Sequence, residues 1–150
     1  MKPLYVAVGA FIEKSEKFLI LKRSPDKDVG ANLWEGVTGR LEEGEDPELG
    51  IIREVLEEVN LEVEIVIPID TSFFYRGSKE FPMVFIVYWC RYLKGDLKLN
   101  WEHTEYKWIT FEEGINSKEL TQYDKDRLLL IKKLKNHLPT DFKLKEKVND

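Results

Sequence analysis

The sequence contains a single cysteine, Cys90, and only two histidines among its 150 residues. One cysteine excludes a disulfide framework within the chain. No run of 18 apolar residues occurs, which excludes a predicted transmembrane helix. The apolar N-terminal stretch 3–12 alternates and lacks a small-residue cleavage site, so we predict a strand there rather than a signal peptide. We therefore expect a cytoplasmic protein.

An excess of basic residues is also absent, because 23 Lys and Arg stand against 28 Asp and Glu, for a net charge of −5. Binding of duplex nucleic acid depends on a basic face, so we predict neither a nucleic-acid partner nor a membrane partner. A small polyphosphate remains compatible with this charge if metal ions screen the carboxylates. The oligomeric states left open are a monomer and a homodimer.

The chain shows no internal repeat and no low-complexity linker, and 43% of its residues are hydrophobic. A chain of this length and composition can bury one sizeable core. We predict a single domain over residues 1–150, with its core at about 5–136. The charged tail at 140–150 is predicted to fray.

A helix with a strongly acidic face is predicted at 47–59. Asp46 followed by Pro47 is a typical helix start, because proline lacks the amide that would be left unpaired at that position. At about 100° per residue, three glutamates fall on one arc of this helix, Glu54, Glu57 and Glu58. The apolar residues predicted to pack on the core from the opposite arc are Leu49, Ile52, Val55, Leu56 and Val59.

Three carboxylates on one helical face repel one another, each pair by roughly 0.2–0.5 kcal/mol. Arg53 stands one turn before Glu57 and can reach back to Glu45, but one guanidinium cannot neutralise all three glutamates. A hard divalent cation with oxygen ligands is the natural complement of such a face. For the acidic helix pattern alone, a solvated helix face is the alternative interpretation.

The loop before the helix extends this pattern. Gly39, five residues, Glu45, seven residues and then the run 53–61 closely resemble the Nudix box, Gx5Ex7REUxEExGU, where U is aliphatic. Asn60 replaces the final glycine, and asparagine is the next most tolerant residue of a left-handed helix cap. The resemblance covers about 5–136 and implies an α/β fold, an α/β/α sandwich with a mixed β-sheet between helices.

The resemblance implies hydrolysis of a nucleoside diphosphate linked to another group, by attack of water at phosphorus. It implies Mg²⁺ as cofactor, with Mn²⁺ as a possible substitute. Among the helix residues, it implies that Glu57 and Glu58 bind the metal ion directly, and it gives Glu57 a catalytic role as well. The carbonyl of Gly39 is implied as a further ligand.

The resemblance also implies roles for groups around these ligands. Glu54 is implied either as another metal ligand or as the group that helps deprotonate the attacking water. Arg53 and Glu45 are implied to orient the ligands. Nudix enzymes often recruit one more acidic residue from a later loop, and here we choose Glu102, with Glu105 second. A solvated loop glutamate is the alternative for Glu102.

Several residues outside the box are candidates for contacts with the substrate. Arg23 ends a predicted strand beside the expected cleft and is a candidate phosphate ligand, with Arg40 as the weaker candidate. His103 is a candidate base, but we expect a lone loop histidine to lie at the surface. Three aromatic residues are candidates for stacking on a planar base, with packing in the core as the alternative: Trp34, Phe74 and Trp101.

The substrate is indicated only by short matches outside the box. ADP-ribose hydrolases of this type carry a proline downstream of the box where this chain has Gly77, and diadenosine polyphosphate hydrolases carry a tyrosine where it has 78–79. The segments 34–39, 102–103 and 106–108 resemble the branch that hydrolyses dihydroneopterin triphosphate and dATP-like nucleotides. The alternatives are a Nudix-like binding module without catalysis, a metal-stabilised structural domain, or a hydrolase of ADP-ribose or diadenosine polyphosphates.

The remaining secondary structure follows from alternation of apolar residues and from turn residues. The most apolar run, 83–92, is predicted to be a central strand. The other predicted strands are 5–12, 18–22, 34–38, 61–69 with an irregular continuation through 70–75, and 105–109. The other predicted helices are a short one from about 110–113 and a longer one at 123–136.

Overall fold

The computed structural model describes residues 2–145 and residue 147. The strands in this part of the chain are β1 (Tyr5–Lys14), β2 (Lys17–Arg23), β3 (Trp34–Glu35), β4 (Val37–Arg40), β5 (Glu62–Tyr75), β6 (Pro82–Lys94) and β7 (His103–Ile109). The helices are α1 (Pro47–Val59), α2 (Phe111–Ile115) and α3 (Gln122–Lys135).

The sheet is mixed. Strand β1 runs parallel to β6 along most of its length and pairs antiparallel with β4 and, at the hairpin, with β2. Strand β6 also pairs antiparallel with β5, which confirms its predicted central place. Strand β2 extends the sheet by pairing with β3 and β7. Strand β4 is thus held against β1, and the loop that leads into α1 begins directly after β4.

Helices cover both faces of this sheet. Alternate residues of β1 point to opposite faces, so Val8 packs into the core that contains Val55 of α1. Phe11 packs into the second core, which contains Leu128 and Ile131 of α3. The layers are helix, mixed sheet and helix, which confirms the predicted sandwich.

Helix α1 begins and ends where the sequence predicted. The Asp46 side chain accepts hydrogen bonds from the amides of Glu48 and Leu49, at 3.0 and 3.4 Å. At the other end, Asn60 adopts the left-handed conformation at φ 60°, and its amide donates to the carbonyl of Leu56. Asparagine therefore provides the cap that glycine provides in the Nudix box.

The predicted buried arc of α1 is confirmed for Val55 and Val59, which are fully buried, and wrong for Leu56. Leu56 is 50% exposed, whereas Ile51 and Glu58 are almost completely buried. The helix is rotated relative to the predicted arc, and Gly50 on its buried side packs against the preceding loop, where a Cβ atom would lie 2.3 Å from the Leu41 side chain. The rotation turns part of the acidic face away from solvent and towards the sheet.

Two predicted strands differ in detail. Residues 34–38 form two short strands separated by Gly36, where a Cβ atom would approach the carbonyl oxygen of Ala10 to 2.5 Å. Strand β5 continues unbroken from 62 to 75, with register shifts against β6 that account for its irregular sequence.

The described part of the charged tail is packed, so the prediction that it frays is wrong there. The Leu144 amide donates to the carbonyl of Ile65 on β5, at 3.1 Å, and Leu144 packs on the core. Lys143 and Lys147 form ion pairs with Glu64 and Asp46. Residues 146 and 148–150 lie outside the described residues, and the single-domain organisation of 1–150 stays a prediction. Within the described residues, no helix is long and apolar enough to cross a membrane.

Candidate active site

The three glutamates of α1 lie in different environments. The Glu57 side chain is 57% exposed, that of Glu54 is 13% exposed and that of Glu58 only 2%. This difference follows from the rotation of the helix, which presents Glu57 to solvent and draws Glu58 towards the sheet. The acidic face is therefore a partly buried cluster, and a fully solvated face is excluded.

Arg53 holds together the outer part of this cluster. Its guanidinium donates to both carboxylate oxygens of Glu45, at 2.6 and 2.8 Å. It also donates to Glu54 at 2.9 Å, to Glu57 at 3.1 Å and to the carbonyl of Arg40 at 3.2 Å. Hydrogen bonding to Arg53 lowers the pKa of Glu45. The contacts match those of an orienting group between loop and helix.

Glu58 has no cationic partner of this kind among the described residues. Burial raises its pKa to about 10, and the carboxylates of Glu102, Glu54 and Glu35 add to the shift. Burial likewise raises the pKa of Glu54. A buried carboxylate without a cation is costly, and the Oε2 atom of Glu58 has no hydrogen-bond partner. The buried carboxylate of Glu58 therefore lacks a neutralising positive charge.

Gly39 on β4 lies directly against this cluster. A Cβ atom at this position would come within 2.1 to 2.5 Å of the Glu54 side chain. Only glycine lets the strand approach so closely, and the pairing of Gly39 with Val8 fixes it in the sheet. The backbone of residue 39 and the Glu54 carboxylate are therefore neighbours.

The loop 95–102 brings a further carboxylate to the cluster. The Asn100 amide donates to the Glu58 carbonyl at 3.2 Å, which ties this loop to the end of α1. The Glu102 side chain accepts from Lys27 at 2.8 Å, and its charge is close enough to raise the pKa of Glu58. Burial is the largest single influence on Glu102 and opposes its ionisation, but the hydrogen bond and charge of Lys27, together with hydrogen bonds from Glu58 and Asn100, lower its pKa.

Glu105, the second candidate for this role, lies elsewhere. It pairs with Lys22 at 3.2 Å, and its side chain is 56% exposed on β7. Of the two candidates, the structure brings only Glu102 to the cluster.

The residues present fit a hard divalent ion that keeps part of its own hydration. The side chains that converge here offer carboxylate oxygens, with the backbone of Gly39 beside them, and oxygen ligands suit Mg²⁺ or Mn²⁺. Within the described residues, no three His, Cys, Asp or Glu side chains form a ready cage for a metal. Mg²⁺ does not require one, because it binds through one or two carboxylates, several waters and substrate oxygens.

His103 is buried, so the prediction of a surface histidine is wrong. Its side chain is 1% exposed, with Nε2 2.9 Å from Glu35 and Nδ1 3.7 Å from Glu58. The residue opens β7 and pairs with Arg23 on β2, which places it in the sheet rather than in the preceding loop.

A cavity of about 630 Å³ adjoins the acidic cluster and shares Gly39 and Glu102 with it. Apolar side chains form much of its wall, and two charged residues of α3 form part of the other side. Arg127 donates to Asp124 at 2.9 Å and to Asp70 at 2.8 Å. Burial raises the pKa of Asp124, although Arg127 opposes the shift. The arrangement combines an apolar pocket with a few polar groups, as small-molecule sites do.

Comparison with known proteins agrees with this geometry. Residues 3–134 match the family model described as the NUDIX domain. The chain belongs to the Nudix family. The MutT protein from Methanosarcina mazei Go1 has a similar structure, with a TM-score of 0.78 and 27% identity over 89% of this chain and 96% of that one.

Two curated Nudix relatives from Escherichia coli (strain K12) match shorter segments. The 8-oxo-dGTP diphosphatase is 35% identical over 89 residues, which are 59% of this chain and 64% of the relative. The dihydroneopterin triphosphate diphosphatase is 36% identical over 62 residues, which are 41% of this chain and 39% of the relative. The match thus spans less than two thirds of either relative.

The Nudix box residues meet at one place in the fold. Of the three aromatic residues predicted to stack on the substrate, two line the cavity and one does not. Trp34 is 8% exposed and lines the cavity, as does Phe74. Trp101 is 70% exposed under the Lys27 ammonium group and is outside the cavity wall, so its predicted stacking role has no support there.

The two arginines predicted to bind phosphate both line the cavity. The guanidinium of Arg23, however, donates to the Val29 carbonyl at 2.8 and 3.1 Å and to Glu35 at 3.0 Å, so it holds the loop 24–33. Arg40 is exposed and lies over the Tyr5 ring, 4.8 Å from its centroid. Arg40 is the better placed of the two for a phosphate group.

Four residues of this Nudix site were missed by sequence reasoning because they lie far from the box along the chain. Their shared property is a charge that is largely buried where separate elements meet. The signal available in the sequence was a charged residue next to an apolar or strand-forming segment, which is too common to be specific. These residues are Lys27, Glu35, Asp124 and Arg127.

Proposed function

We propose that this Nudix protein is a Mg²⁺-dependent pyrophosphohydrolase. It cleaves a nucleoside triphosphate, or a related nucleoside diphosphate linked to another group, by attack of water at phosphorus, and Mn²⁺ substitutes for Mg²⁺. One observation carries the proposal: the carboxylates of Glu54, Glu58 and Glu102 interact with one another, Glu58 without a lysine or arginine partner among the described residues, and Glu102 lines a cavity of about 630 Å³. The anionic end of a nucleotide needs cations, and these carboxylates supply their ligands.

The residues of the chain divide the work. Glu57, Glu58 and Glu102 would hold the metal ion together with the Gly39 carbonyl. A Mg²⁺ ion held there would supply positive charge for the phosphate oxygens and would make the attacking water more acidic. Glu54 either adds a ligand or accepts the proton of the attacking water, and its raised pKa brings it closer to the working range of a base.

Orientation comes from the charged groups around the ligands. Arg53 fixes the carboxylates of Glu54 and Glu57 through the hydrogen bonds described above, and Glu45 fixes Arg53 in turn. Lys27 fixes Glu102 from the side of the cavity. Arg40 is exposed at the cavity and is placed to contact a phosphate group. Arg23 holds the loop 24–33 in the cavity wall.

The cavity holds the nucleoside part of the substrate. Trp34, Phe74 and Phe85 present aromatic surface to it, and Asp124 presents a buried acceptor. We propose a triphosphate with a planar ring, of the dihydroneopterin triphosphate or dATP type. The names of the two relatives, which refer to dihydroneopterin triphosphate and 8-oxo-dGTP, support a triphosphate substrate.

The alternatives are a nucleotide-binding module with weak catalysis and a hydrolase of ADP-ribose or diadenosine polyphosphates. Retention of Glu54, Glu57 and Glu58 favours an enzyme, because a binding module does not need them all. We also propose a cytoplasmic location, as a monomer or homodimer, in keeping with one free and buried cysteine.

The deciding experiment is a substrate panel assayed for phosphate and pyrophosphate release with Mg²⁺ and with a chelator. The panel contains canonical and oxidised nucleoside triphosphates, dihydroneopterin triphosphate, ADP-ribose, diadenosine tetraphosphate and NADH. We expect metal-dependent turnover of a triphosphate, lost by orders of magnitude in Glu57→Gln and Glu58→Gln. Equal rates with Mg²⁺ and chelator would end the proposal. A far higher kcat/KM for ADP-ribose or diadenosine tetraphosphate would select that alternative.

A further inference from the structure

The outer edge of the sheet ends in a run of exposed aromatic residues. Within the described part of the chain, β5 pairs only with β6, so its other edge is the end of the sheet. Near the end of this strand, Phe73 is 56% exposed, Phe74 40% and Tyr75 50%. The rings of Phe73 and Tyr75 lie on one face of the strand, with their centroids 5.3 Å apart. Contiguous exposed apolar surface of this kind is typical of interaction sites.

The two halves of this edge differ in how they are protected against pairing with another strand. In the first half, Pro68 lacks an amide hydrogen, and register shifts against β6 interrupt the regular strand. The Leu144 amide also donates to the carbonyl of Ile65, so the C-terminal segment covers part of this half. Residues 71–75, which we call the open segment, pair regularly with β6 and contain neither proline nor lysine. The open segment therefore lacks these protective features.

The open segment also has backbone groups that are free to bind another strand. In the described residues, its backbone forms hydrogen bonds only to β6. An edge strand directs a row of N–H and C=O groups outward, and such groups are a template for strand pairing. A strand from another chain would satisfy these groups and cover the aromatic side chains at the same time.

The charges that flank the open segment fit a second copy of the same chain. Asp70 precedes the segment and Arg76 follows it, and the five residues between them are uncharged. Two identical edges related by a two-fold axis pair antiparallel. When Phe73 lies opposite Phe73 of the second copy, Asp70 of each copy lies opposite Arg76 of the other. A displacement by two residues in either direction places each charge opposite an uncharged residue, so charge complementarity selects this register.

Both flanking side chains are partly exposed and can take part in this pairing. The Asp70 side chain is 36% exposed beside Arg127, and the Arg76 side chain is 24% exposed beside Asp28. Each forms an ion pair within its own chain, but a carboxylate and a guanidinium have capacity for further hydrogen bonds. Opposite charges at the rim of an interface fix its register more than they add affinity. The affinity must come from the backbone hydrogen bonds and the aromatic side chains.

We propose that the chain forms a homodimer by antiparallel pairing of the open segments of two copies, centred on Phe73. The sheet then continues from one copy into the other, and Phe73 is buried at the two-fold axis, with Tyr75 opposite Thr71. Ser72 and Phe74 line the cavity, so the second copy extends the wall of each cavity. No metal ion or substrate takes part in the pairing, and the inference does not rest on the proposed function.

The dimer is tested by sedimentation velocity of the full chain over about a hundredfold range of concentration. We expect the wild type to shift from monomer to dimer as the concentration rises. Thr71→Lys and Phe73→Lys place an ammonium group within the paired segment, as natural edge strands do, and should stay monomeric. The matched control is Leu93→Lys, at a 51% exposed position near the other end of β6, which should associate as the wild type does. Circular dichroism establishes that each variant is folded.

The register is tested by disulfide cross-linking. In the proposed pairing the two copies of residue 73 lie directly opposite, about 4.5–5.5 Å apart between Cα atoms, which a disulfide can bridge. Phe73→Cys should therefore form a covalent dimer on mild oxidation, visible on a non-reducing gel. The two copies of residue 72 would lie more than about 7 Å apart, so Ser72→Cys is the matched control and should cross-link far less. Cys90 is completely buried and does not interfere.

Three results would overturn the proposal. The first is a monomeric wild type at every concentration. The second is a dimer that persists in both lysine variants, or equal cross-linking of Phe73→Cys and Ser72→Cys, because the contact would then lie elsewhere or in another register. The third is a monomeric wild type that co-sediments with phosphatidylcholine–phosphatidylglycerol vesicles and loses this binding in Phe73→Lys, which would assign the aromatic run to a membrane surface.

The dimer and the proposed function can fail separately. A wild-type protein that dimerises and cross-links as expected but hydrolyses nothing in the substrate panel would end the proposed function and leave the dimer in place. A monomeric protein that hydrolyses a triphosphate would end the dimer alone.

Discussion

The Glu54 carboxylate occupies the space that a side chain on residue 39 would need: a Cβ atom on Gly39 would lie 2.1 Å from Cδ of Glu54. The glycine that opens the Nudix box is thus required by packing against the helix that carries the glutamates. The strand cannot yield easily, because β4 is paired with β1 at this position. Any side chain at 39 must displace Glu54.

This relationship predicts that Gly39→Ala destabilises the protein by about 1–3 kcal/mol, as overpacking of a close contact does. It should also lower the hydrolysis rate, because Glu54 is moved from its hydrogen bond to Arg53. The measurement is urea-induced unfolding of Gly39→Ala alone and in a Glu54→Ala background. We expect most of the destabilisation to vanish in the double variant, and an equal loss in both backgrounds would contradict the clash.

A second prediction concerns pH. In the metal-free protein the pKa of Glu58 is raised to about 10 from an ordinary 4.5, chiefly by burial. Between these values the folded state binds a proton that the unfolded state has released. The free energy of unfolding must therefore fall as pH rises through this window. Glu58→Gln should flatten the dependence, while Glu57→Gln, at an exposed position of the same helix, should keep it.

The measurement is urea unfolding in the presence of a chelator at about pH 6 and about pH 9. An unchanged slope in Glu58→Gln would show that this carboxylate is not the group responsible. Saturating Mg²⁺ should reduce the slope in the wild type, because a bound cation favours the ionised carboxylate.

The limits of the sequence are visible in helix α1. The start and end of the helix and the spacing of its glutamates follow from local rules of capping and periodicity, and the structure confirms them. The rotation of the helix does not follow from those rules. A buried Glu58 beside an exposed Leu56 contradicts the hydrophobic pattern, and such conflicts are expected where function requires a buried charge.

Residues outside the helix show the same division. Glu102 was chosen because the resemblance implies one more acidic residue from a later loop, and this residue lies between two strand-like segments. His103, its neighbour, was predicted at the surface because its burial depends on the pairing of β7 with β2, which a single sequence does not reveal. Asp124 reaches the cavity only because α3 covers the second face of the sheet.

A third prediction separates the two loop glutamates. Glu102→Gln should raise the Mg²⁺ concentration needed for half-maximal rate by about tenfold or more, because it removes a carboxylate beside Glu58. Glu105→Gln loses only an exposed ion pair with Lys22 and should behave as wild type. Initial rates over a Mg²⁺ titration measure both. If only Glu105→Gln lost rate, the assignment of this role to Glu102 would be wrong.

The last prediction concerns recognition of the ring by Asp124. This carboxylate is buried in the cavity wall, and Arg127 donates to one of its oxygens at 2.9 Å. The other oxygen can accept from an N–H group of a substrate ring. Dihydroneopterin and guanine-type rings present such N–H groups side by side, whereas an amide at position 124 would oppose them with its own N–H.

Asp124→Asn should therefore lower kcat/KM for triphosphates with those rings by at least about tenfold relative to triphosphates whose rings lack the paired donors. Asp126→Asn, an exposed position two residues along the same helix, is the matched control and should leave the ratio unchanged. The ratio is the informative quantity, since a general loss of folding or of metal binding would lower both rates together. A uniform decrease in kcat/KM across all substrates would mean that Asp124 serves the ion pair with Arg127 and does not recognise the substrate ring.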